Sequence, residues 1–282
     1  MEESDLTREL ALAKKAARAA GVILRGHYKR EGLKVGSKGH DNPVTQADLE
    51  ADSAIKKALR DPFPSYGWLS EETVDNEDRL KCRRVWIVDP LDGTKEFLRR
   101  NGEFTVNIAL VEGDLPILGV VYAPVIGKMY FAARGTGAYK DDGEAIQRLN
   151  ATRPPNATLR TVVSRSHPPQ QENLECLSRS VQNCEFIAMG SSLKFCLVAE
   201  GAADIYPRTG ATMEWDTAAA HCILVEAGGV ITDLDGNAVY YNKPELLNPG
   251  FLAKGASRAT SDLIGSIIGE LLQAEPPAPF RP

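Results

Sequence analysis

The sequence predicts a layered α/β protein in two lobes, on three observations. Two early stretches repeat apolar residues every three or four positions, and short apolar runs follow at 85–88, 104–111, 117–123 and 128–133. That order sets helices beside an antiparallel sheet. From residue 159 onward strand-like and helix-like segments alternate, as in an α/β unit. The 282 residues, 43% hydrophobic and 25% charged, supply a large core and allow one or two domains, which makes two lobes the starting expectation.

Taken in order, Leu6, Leu10, Ala13, Ala17, Ala20 and Leu24 mark an amphipathic helix over 6–28, capped by Ser4 or Asp5. A polar, glycine-containing loop over 32–43 leads to Thr45, whose spacing to Asp48 fits a capping box. Ala47, Ala51, Ala54, Ile55 and Ala58 form the buried stripe of this second helix, which runs to about residue 59. Val85-Trp86-Ile87-Val88 reads as a buried strand ending in the carboxylate of Asp89. Glu112-Gly113-Asp114 and the segment from Pro124 to Gly127 punctuate the next three strands as an antiparallel meander. The first lobe is expected over 1–153, closing near Arg153-Pro154-Pro155. The second, over 154–273, reads as strand 159–164, helix 170–181, strand 185–189, helix 192–200, strand 204–206, helix 215–227 and a last helix over 261–272. Four prolines in 274–282 predict a disordered tail.

The net charge of −5 offers no broad basic surface for a nucleic-acid polymer or an anionic membrane, so an anionic ligand must be held by local features. Cys82, Cys176, Cys184, Cys196 and Cys222 are scattered, without a CxxC pair or histidines at zinc spacing, and read as reduced and mostly buried. The N-terminus lacks the layout of a signal peptide, and no run of about 18 apolar residues occurs, so the expectation is a cytoplasmic protein, monomer or homodimer, without stable membrane insertion. The absence of a GxxxxGK[ST] loop, a complete GxGxxG fingerprint and a GxSxG elbow lowers the nucleoside-triphosphatase, dehydrogenase and α/β-hydrolase readings. Asp233-Leu234-Asp235-Gly236-Asn237 reads as a hairpin turn; its glycine comes too early for a calcium loop, and Pro244 occupies the place of the closing glutamate.

The most informative segment is Asp89-Pro90-Leu91-Asp92-Gly93-Thr94. Pro90 fixes its own φ and helps hold both carboxylates on one side of a turn, while Gly93 and Thr94 open a short helix whose backbone N–H groups favour an anion. Carboxylates beside an anion site make sense with cations between them, and oxygen-only ligands suit a hard ion such as Mg²⁺. Taken singly, each carboxylate also has a plainer reading. Asp89 and Asp92 could shape a turn and a cap, Glu71 and Glu72 could be solvated, Asp48 could serve the capping box and Asp216 could N-cap a helix from Thr217.

Four ordered segments carry a further signal: Thr45-Gln46-Ala47-Asp48, Leu69-Ser70-Glu71-Glu72, Asp89-Pro90-Leu91-Asp92-Gly93-Thr94 and Trp215-Asp216. Together they resemble the motifs of the inositol-monophosphatase superfamily, in the same order, from about residue 43 to 229. The resemblance implies an α/β/α/β/α sandwich with the active site between two lobes, and a phosphomonoesterase using two or three Mg²⁺ ions. It assigns Glu71, Asp89, Asp92, Asp216 and the carbonyl of Leu91 to the metals. Asp48, Glu71 and Thr94 become catalytic: Thr94 orients the attacking water and Asp48 or Glu71 accepts its proton. The Gly93 and Thr94 amides would face the phosphoryl group.

For the substrate, Lys95-Glu96-Phe97 after Thr94 resembles the 3′(2′),5′-bisphosphate nucleotidase branch. So do the segment from Gly190 to Gly201 and Asp204-Ile205-Tyr206-Pro207-Arg208. This implies a second-phosphate pocket of Ser191, Ser192, Lys194 and Arg208, although either cation alone could be an ordinary surface charge. Ser164-Arg165-Ser166-His167 is similar to a motif at the nucleoside pocket, where His167 would meet the base; alone, a histidine before Pro168-Pro169 is a loop residue. The expected reaction is hydrolysis of 3′-phosphoadenosine 5′-phosphate to AMP and phosphate, disposing of a by-product of sulfate assimilation, with inhibition by lithium and calcium. Inositol 1-phosphate or another small phosphomonoester is the alternative within the fold. A non-catalytic metal- or phosphate-binding protein is the alternative outside it, and the paired presence of Asp48 and Thr94 argues against it.

Overall fold

Helix α1, Thr7–Tyr28, buries Ala13, Ala16, Ala17, Ala20 and Leu24 on one face, and α2, Gln46–Arg60, buries Ala47, Ala51, Ile55 and Leu59. The small alanines let the two helices lie against each other and against a sheet. A computed structural model describes residues 6–29, 35–37, 43–152, 158–166 and 184–255 of the chain. Leu6 stands at the N-cap of α1 without a side-chain cap bond.

Among the described residues, seven strands form the larger sheet in sequence order: β3 (Gly67–Ser70), β4 (Arg84–Asp92), β5 (Thr105–Glu112), β6 (Leu115–Ala123), β7 (Lys128–Ala133), β8 (Gly137–Asp141) and β9 (Ile146–Arg148). A separate antiparallel pair of β1 (Val35–Ser37) and β2 (Pro43–Thr45) precedes α2. β3 runs parallel to β4, and every later pair is antiparallel, which extends the expected meander by β8 and β9. Both faces of the central strands are buried, which is why they read as continuous apolar runs rather than alternating ones. In β4, Trp86 and Val88 join the core under α1 and α2, while Val85 and Ile87 join the core on the opposite face. Strand β5 repeats the division, with Val106, Ile108 and Leu110 on the first side and Ala109 and Val111 on the second.

The smaller sheet has the order β11-β10-β12-β16-β14, made of β10 (Leu159–Ser164), β11 (Cys184–Met189), β12 (Ile205–Arg208), β14 (Val230–Asp233) and β16 (Phe251–Lys254). Strand β10 pairs in parallel with β11 and β12, and β16 pairs antiparallel with β12 and β14. A short ribbon joins β13 (Thr212–Met213) to β15 (Leu247–Asn248). Helices α4 (Leu193–Ala199) and α5 (Glu214–Glu226) lie between the two sheets, which explains why α5 is apolar almost all round. The layers are therefore helix, sheet, helix, sheet among the described residues. The expected division at 153–155, the helices at 170–181 and 261–272, the cap at Ser4 or Asp5 and the tail at 274–282 all fall outside those residues. The turn after β14 is a hairpin, with Gly236 at φ +88 and an antiparallel bridge from Thr232 to Ala238. No described helix is long and apolar enough to cross a membrane.

At Gly119 the larger sheet lies so close to α5 that an added Cβ would meet the Ala219 carbonyl oxygen at 2.1 Å. Both partners there are backbone, which cannot rotate away. Gly119→Ala is expected to lower stability by about 3 kcal/mol, the upper range of overpacking costs, and urea unfolding measures it.

Candidate active site

Strand β4 does not end at Asp89 as the sequence suggested; it continues through Pro90-Leu91 to Asp92, and its pairing with β5 shifts between Asp89 and Asp92. A bulge of this kind adds an unpaired residue and re-aims the side chains around it. Asp89 accepts the Leu91 N–H at 3.0 Å, and Gly93, at φ +90, takes the left-handed turn into α3, Thr94–Arg99. The expected rigid turn is thus a bulged strand end, because pairing resumes at Asp92 with Thr105.

Asp216 enters from the opposite side, in the first turn of α5. The helix starts at Glu214 rather than Thr217, so Asp216 sits three residues past the N-cap Met213 and accepts its N–H at 2.8 Å. Asp89, Asp92 and Asp216 each bring a carboxylate oxygen to within 4.8 Å of one another. Burial, with the charges of Glu71, Asp92, Asp216 and Asp48, holds the Asp89 carboxyl well above the usual carboxylate range. Asp216 is pushed up to about 8 by burial and then by Asp92 and Glu71. Five carboxylates therefore share one electrostatic neighbourhood. Glu71 is placed by β3, its N–H donating to the Val88 carbonyl at 3.2 Å, and α2 buries Asp48. Thr94 lies across the bulge, its hydroxyl 3.5 Å from the Leu91 carbonyl.

The donor set fits a hard divalent cation. The convergent ligands are carboxylates without histidine or cysteine among them. Their mutual repulsion raises proton affinity when no cation is bound, and a cation would relieve it.

The inositol monophosphatase family model matches residues 5–268. The chain belongs to that family. The 3′(2′),5′-bisphosphate nucleotidase CysQ of Salmonella typhimurium is 46% identical over 239 residues, 84% of this chain and 95% of the relative. The protein of the same description from Escherichia coli K12 is 44% identical over the same shares. The crystal structure of CysQ from Bacteroides thetaiotaomicron, a bacterial member of the inositol monophosphatase family, superposes with a TM-score of 0.78 at 40% identity, covering 89% of this chain and 98% of that one.

In this inositol monophosphatase family member the residues expected at a second phosphate lie beside the acidic group and make contacts that their spacing in the chain does not reveal. Ser191 and Ser192 turn their hydroxyls to Asp92, at 2.7 and 2.9 Å from Oδ2. The reason is tertiary: β11 delivers them to the junction of the two sheets, beside a partly buried carboxylate that needs donors. Lys194 is not a surface charge. It is 7% exposed, its Nζ donates to the Ser191 carbonyl at 2.5 Å, and burial brings its pKa down to about 8. Arg208, half-buried at the end of β12, donates to the Gly210 carbonyl at 3.3 Å, and its charge bears on Lys194 and Asp216. His167 lies outside the described residues. Next to it Arg165 forms a bidentate ion pair with Glu103 at 2.6 and 2.8 Å, and Ser166 bonds Glu96 and Arg99, joining the end of β10 to the α3 region.

Sequence reasoning missed Thr105, Asn107 and Asp52. Thr105 and Asn107 are fully buried beside Asp92, and Asp52 accepts the Ser70 hydroxyl at 2.5 Å, steadying the strand that carries Glu71. A signal existed for the first two: they are the polar interruptions in the otherwise apolar run of β5.

Proposed function

We propose that this chain is a magnesium-dependent 3′(2′),5′-bisphosphate nucleotidase that hydrolyses 3′-phosphoadenosine 5′-phosphate to AMP and phosphate. The observation that carries this reading is the convergence of Asp89, Asp92 and Asp216 beside Glu71 and Asp48, in a chain whose relatives bear that activity in their descriptions. Glu71, Asp89, Asp92, Asp216 and the Leu91 carbonyl would hold two or three Mg²⁺ ions. Bound Mg²⁺ supplies water acidification and neutralises phosphoryl charge.

The chain's own groups do the rest. The Thr94 hydroxyl orients the attacking water, and Asp48 or Glu71 accepts its proton as the new oxygen–phosphorus bond forms. The Gly93 and Thr94 amides, at the start of α3, donate to the phosphoryl oxygens. The bond from phosphorus to the 3′ oxygen breaks, and that oxygen takes up a proton to leave AMP. Lys194 and Arg208 mark where a 5′-phosphate would bind, with Arg208 the half-exposed member able to meet it. In this reading residues 1–153 and 154–273 form two lobes, the first bringing Asp89 and Asp92 and the second Asp216. The unpaired Cys82, Cys184, Cys196 and Cys222 favour a reducing, cytoplasmic setting, and the protein would act as a monomer or homodimer.

The test is phosphate release from 3′-phosphoadenosine 5′-phosphate and from inositol 1-phosphate, with Mg²⁺ and with chelator. Strong Mg²⁺-dependent preference for the nucleotide is expected. Preference for inositol phosphate would sink the substrate assignment, and no turnover of either would sink the enzyme reading. Arg208→Ala is expected to raise KM for the bisphosphate about 10- to 100-fold, the worth of a charge-assisted bond. Hydrolysis of a monophosphate should change by less than about twofold, and equal losses on both substrates would remove Arg208 from a second-phosphate site.

A further inference from the structure

Asp92 differs from its neighbours in how one of its oxygens is held. Five donors point at Oδ2: the Ser192 N–H at 2.6 Å, the Ser191 hydroxyl at 2.7 Å, the Ser192 hydroxyl at 2.9 Å, the Asn107 amide at 3.2 Å and the Thr105 hydroxyl at 3.4 Å. One carboxylate oxygen has about two lone-pair sites, so some of these protons must be used elsewhere. The surroundings show where. The Thr105 hydroxyl also donates to the Asn107 side-chain oxygen at 2.9 Å, which fixes the amide with its NH₂ toward Asp92. That NH₂ donates to the Ser192 hydroxyl at 2.8 Å. The Ser192 hydroxyl, accepting from Asn107, has its own proton left for Asp92 or for the Asp216 carbonyl, also at 2.9 Å.

The Ser192 hydroxyl therefore sits between two residues of the acidic group that come from different elements, the bulged end of β4 and the first turn of α5. Its neighbourhood holds it there. Ser191 adopts φ +56, a left-handed conformation that a serine keeps only when its surroundings over-determine it. Lys194 on its carbonyl and Asp92 on its hydroxyl do so. Gly190, one residue earlier, donates its N–H to Glu103 at 2.8 Å, and a Cβ there would meet Glu96 Cγ at 2.6 Å and the Glu103 carbonyl at 2.7 Å. Asn107 and Ser192 are 1% and 2% exposed, so water cannot replace their bonds.

We propose that Asn107 and Ser192 are positioning residues of the cation site: together with the Ser191 hydroxyl they saturate Oδ2 of Asp92, leave Oδ1 to the cation, and set the spacing between Asp92 and Asp216. This rests on the metal reading given above. Partners that orient a metal ligand typically contribute 10- to 100-fold in metal affinity. A residue that only fills space would lower stability without changing how much Mg²⁺ restores.

The experiment is a Mg²⁺ titration of the full-length chain followed by melting temperature, for the wild type, Ser192→Ala and Asn107→Ala, with kcat and KM measured at saturating Mg²⁺. Both variants are expected to need about tenfold more Mg²⁺ for the half-maximal rise in melting temperature. KM for the phosphomonoester is expected to change less than the Mg²⁺ midpoint, because the Ser192 hydroxyl is engaged by Asn107, Asp92 and the Asp216 carbonyl. If Asn107→Ala does not fold, Ser192→Ala decides alone, since it removes one atom and keeps the backbone donor. An unchanged Mg²⁺ midpoint, with or without a lower melting temperature in chelator, overturns the proposal while leaving the metal reading intact. A wild type whose melting temperature ignores Mg²⁺ overturns both.

Discussion

Asp92→Asn is expected to cut Mg²⁺-dependent phosphate release by about a thousandfold or more, since a metal contributes several kcal/mol to the transition state and each 1.4 kcal/mol is tenfold in rate. The reason lies in the orientation of the side chain. The donors gathered on Oδ2 are the Ser192 N–H, two serine hydroxyls, the Asn107 amide and the Thr105 hydroxyl. They would hold the oxygen of the new amide on their side and turn its NH₂ toward the cation. An amide NH₂ cannot ligate a metal and repels one. The substitution therefore removes a charge and also presents the wrong group, with almost no change in shape. Phosphate release with saturating Mg²⁺ measures it, and a variant as fast as the wild type would show that Asp92 is not a ligand.

In chelator, the melting temperature is expected to fall as pH rises from 6.5 to 8, and Mg²⁺ is expected to abolish that fall. Asp216, pushed up to about 8, and Asp89, raised well above the carboxylate range, still hold protons in the folded protein at pH values where the unfolded chain has released them. Stability therefore decreases with pH from about 4 up to the folded pKa values. His221 acts in the opposite sense. Burial brings it down to about 4, so the unfolded chain takes up a proton below about 6.5 that the folded protein refuses, and stability rises with pH up to that point. The carboxylates and His221 oppose each other below pH 6.5, and towards pH 8 Lys194, brought down to about 8, begins to lose its proton in the folded protein and offsets part of the fall, so 6.5 to 8 is the window where the two raised carboxylates dominate. Asp216 keeps part of its surface exposed, and solvent softens the slope. Cation ligands must be deprotonated, so Mg²⁺ displaces these protons and stabilises more at pH 8 than at 6.5. Melting curves at three pH values, with chelator and with Mg²⁺, provide the check. The absence of a fall in chelator across the window would mean that the acidic group is solvated rather than buried.

Much of the fold was legible because it is written in local periodicity. The expected strand at 159–164 is β10 as observed, and the helices at 192–200 and 215–227 appear as α4 and α5 with ends shifted by a residue or so. Strands β1, β2, β3, β8, β9, β13, β14, β15 and β16 were missed or left unassigned. Strand β9 is three exposed residues, and β8 carries only two fully buried ones, so neither shows an apolar run. The extension of β4 through Pro90 could not be foreseen either, since a proline argues against a strand interior unless a bulge takes it out of the ladder.

By itself the sequence determined the alternation of elements and the identity of the acidic residues, because amphipathic spacing and carboxylates beside apolar runs are properties of neighbours in the chain. Only the tertiary structure decided how those residues are used. Ser191 and Ser192 meet Asp92 across about 100 residues of chain, and Asn107 meets Ser192 across 85. Lys194, although charged, is buried because α4 is enclosed between two sheets. Such pairings depend on how the layers stack, and stacking is set by the summed burial of two hydrophobic cores, which no short segment of sequence encodes.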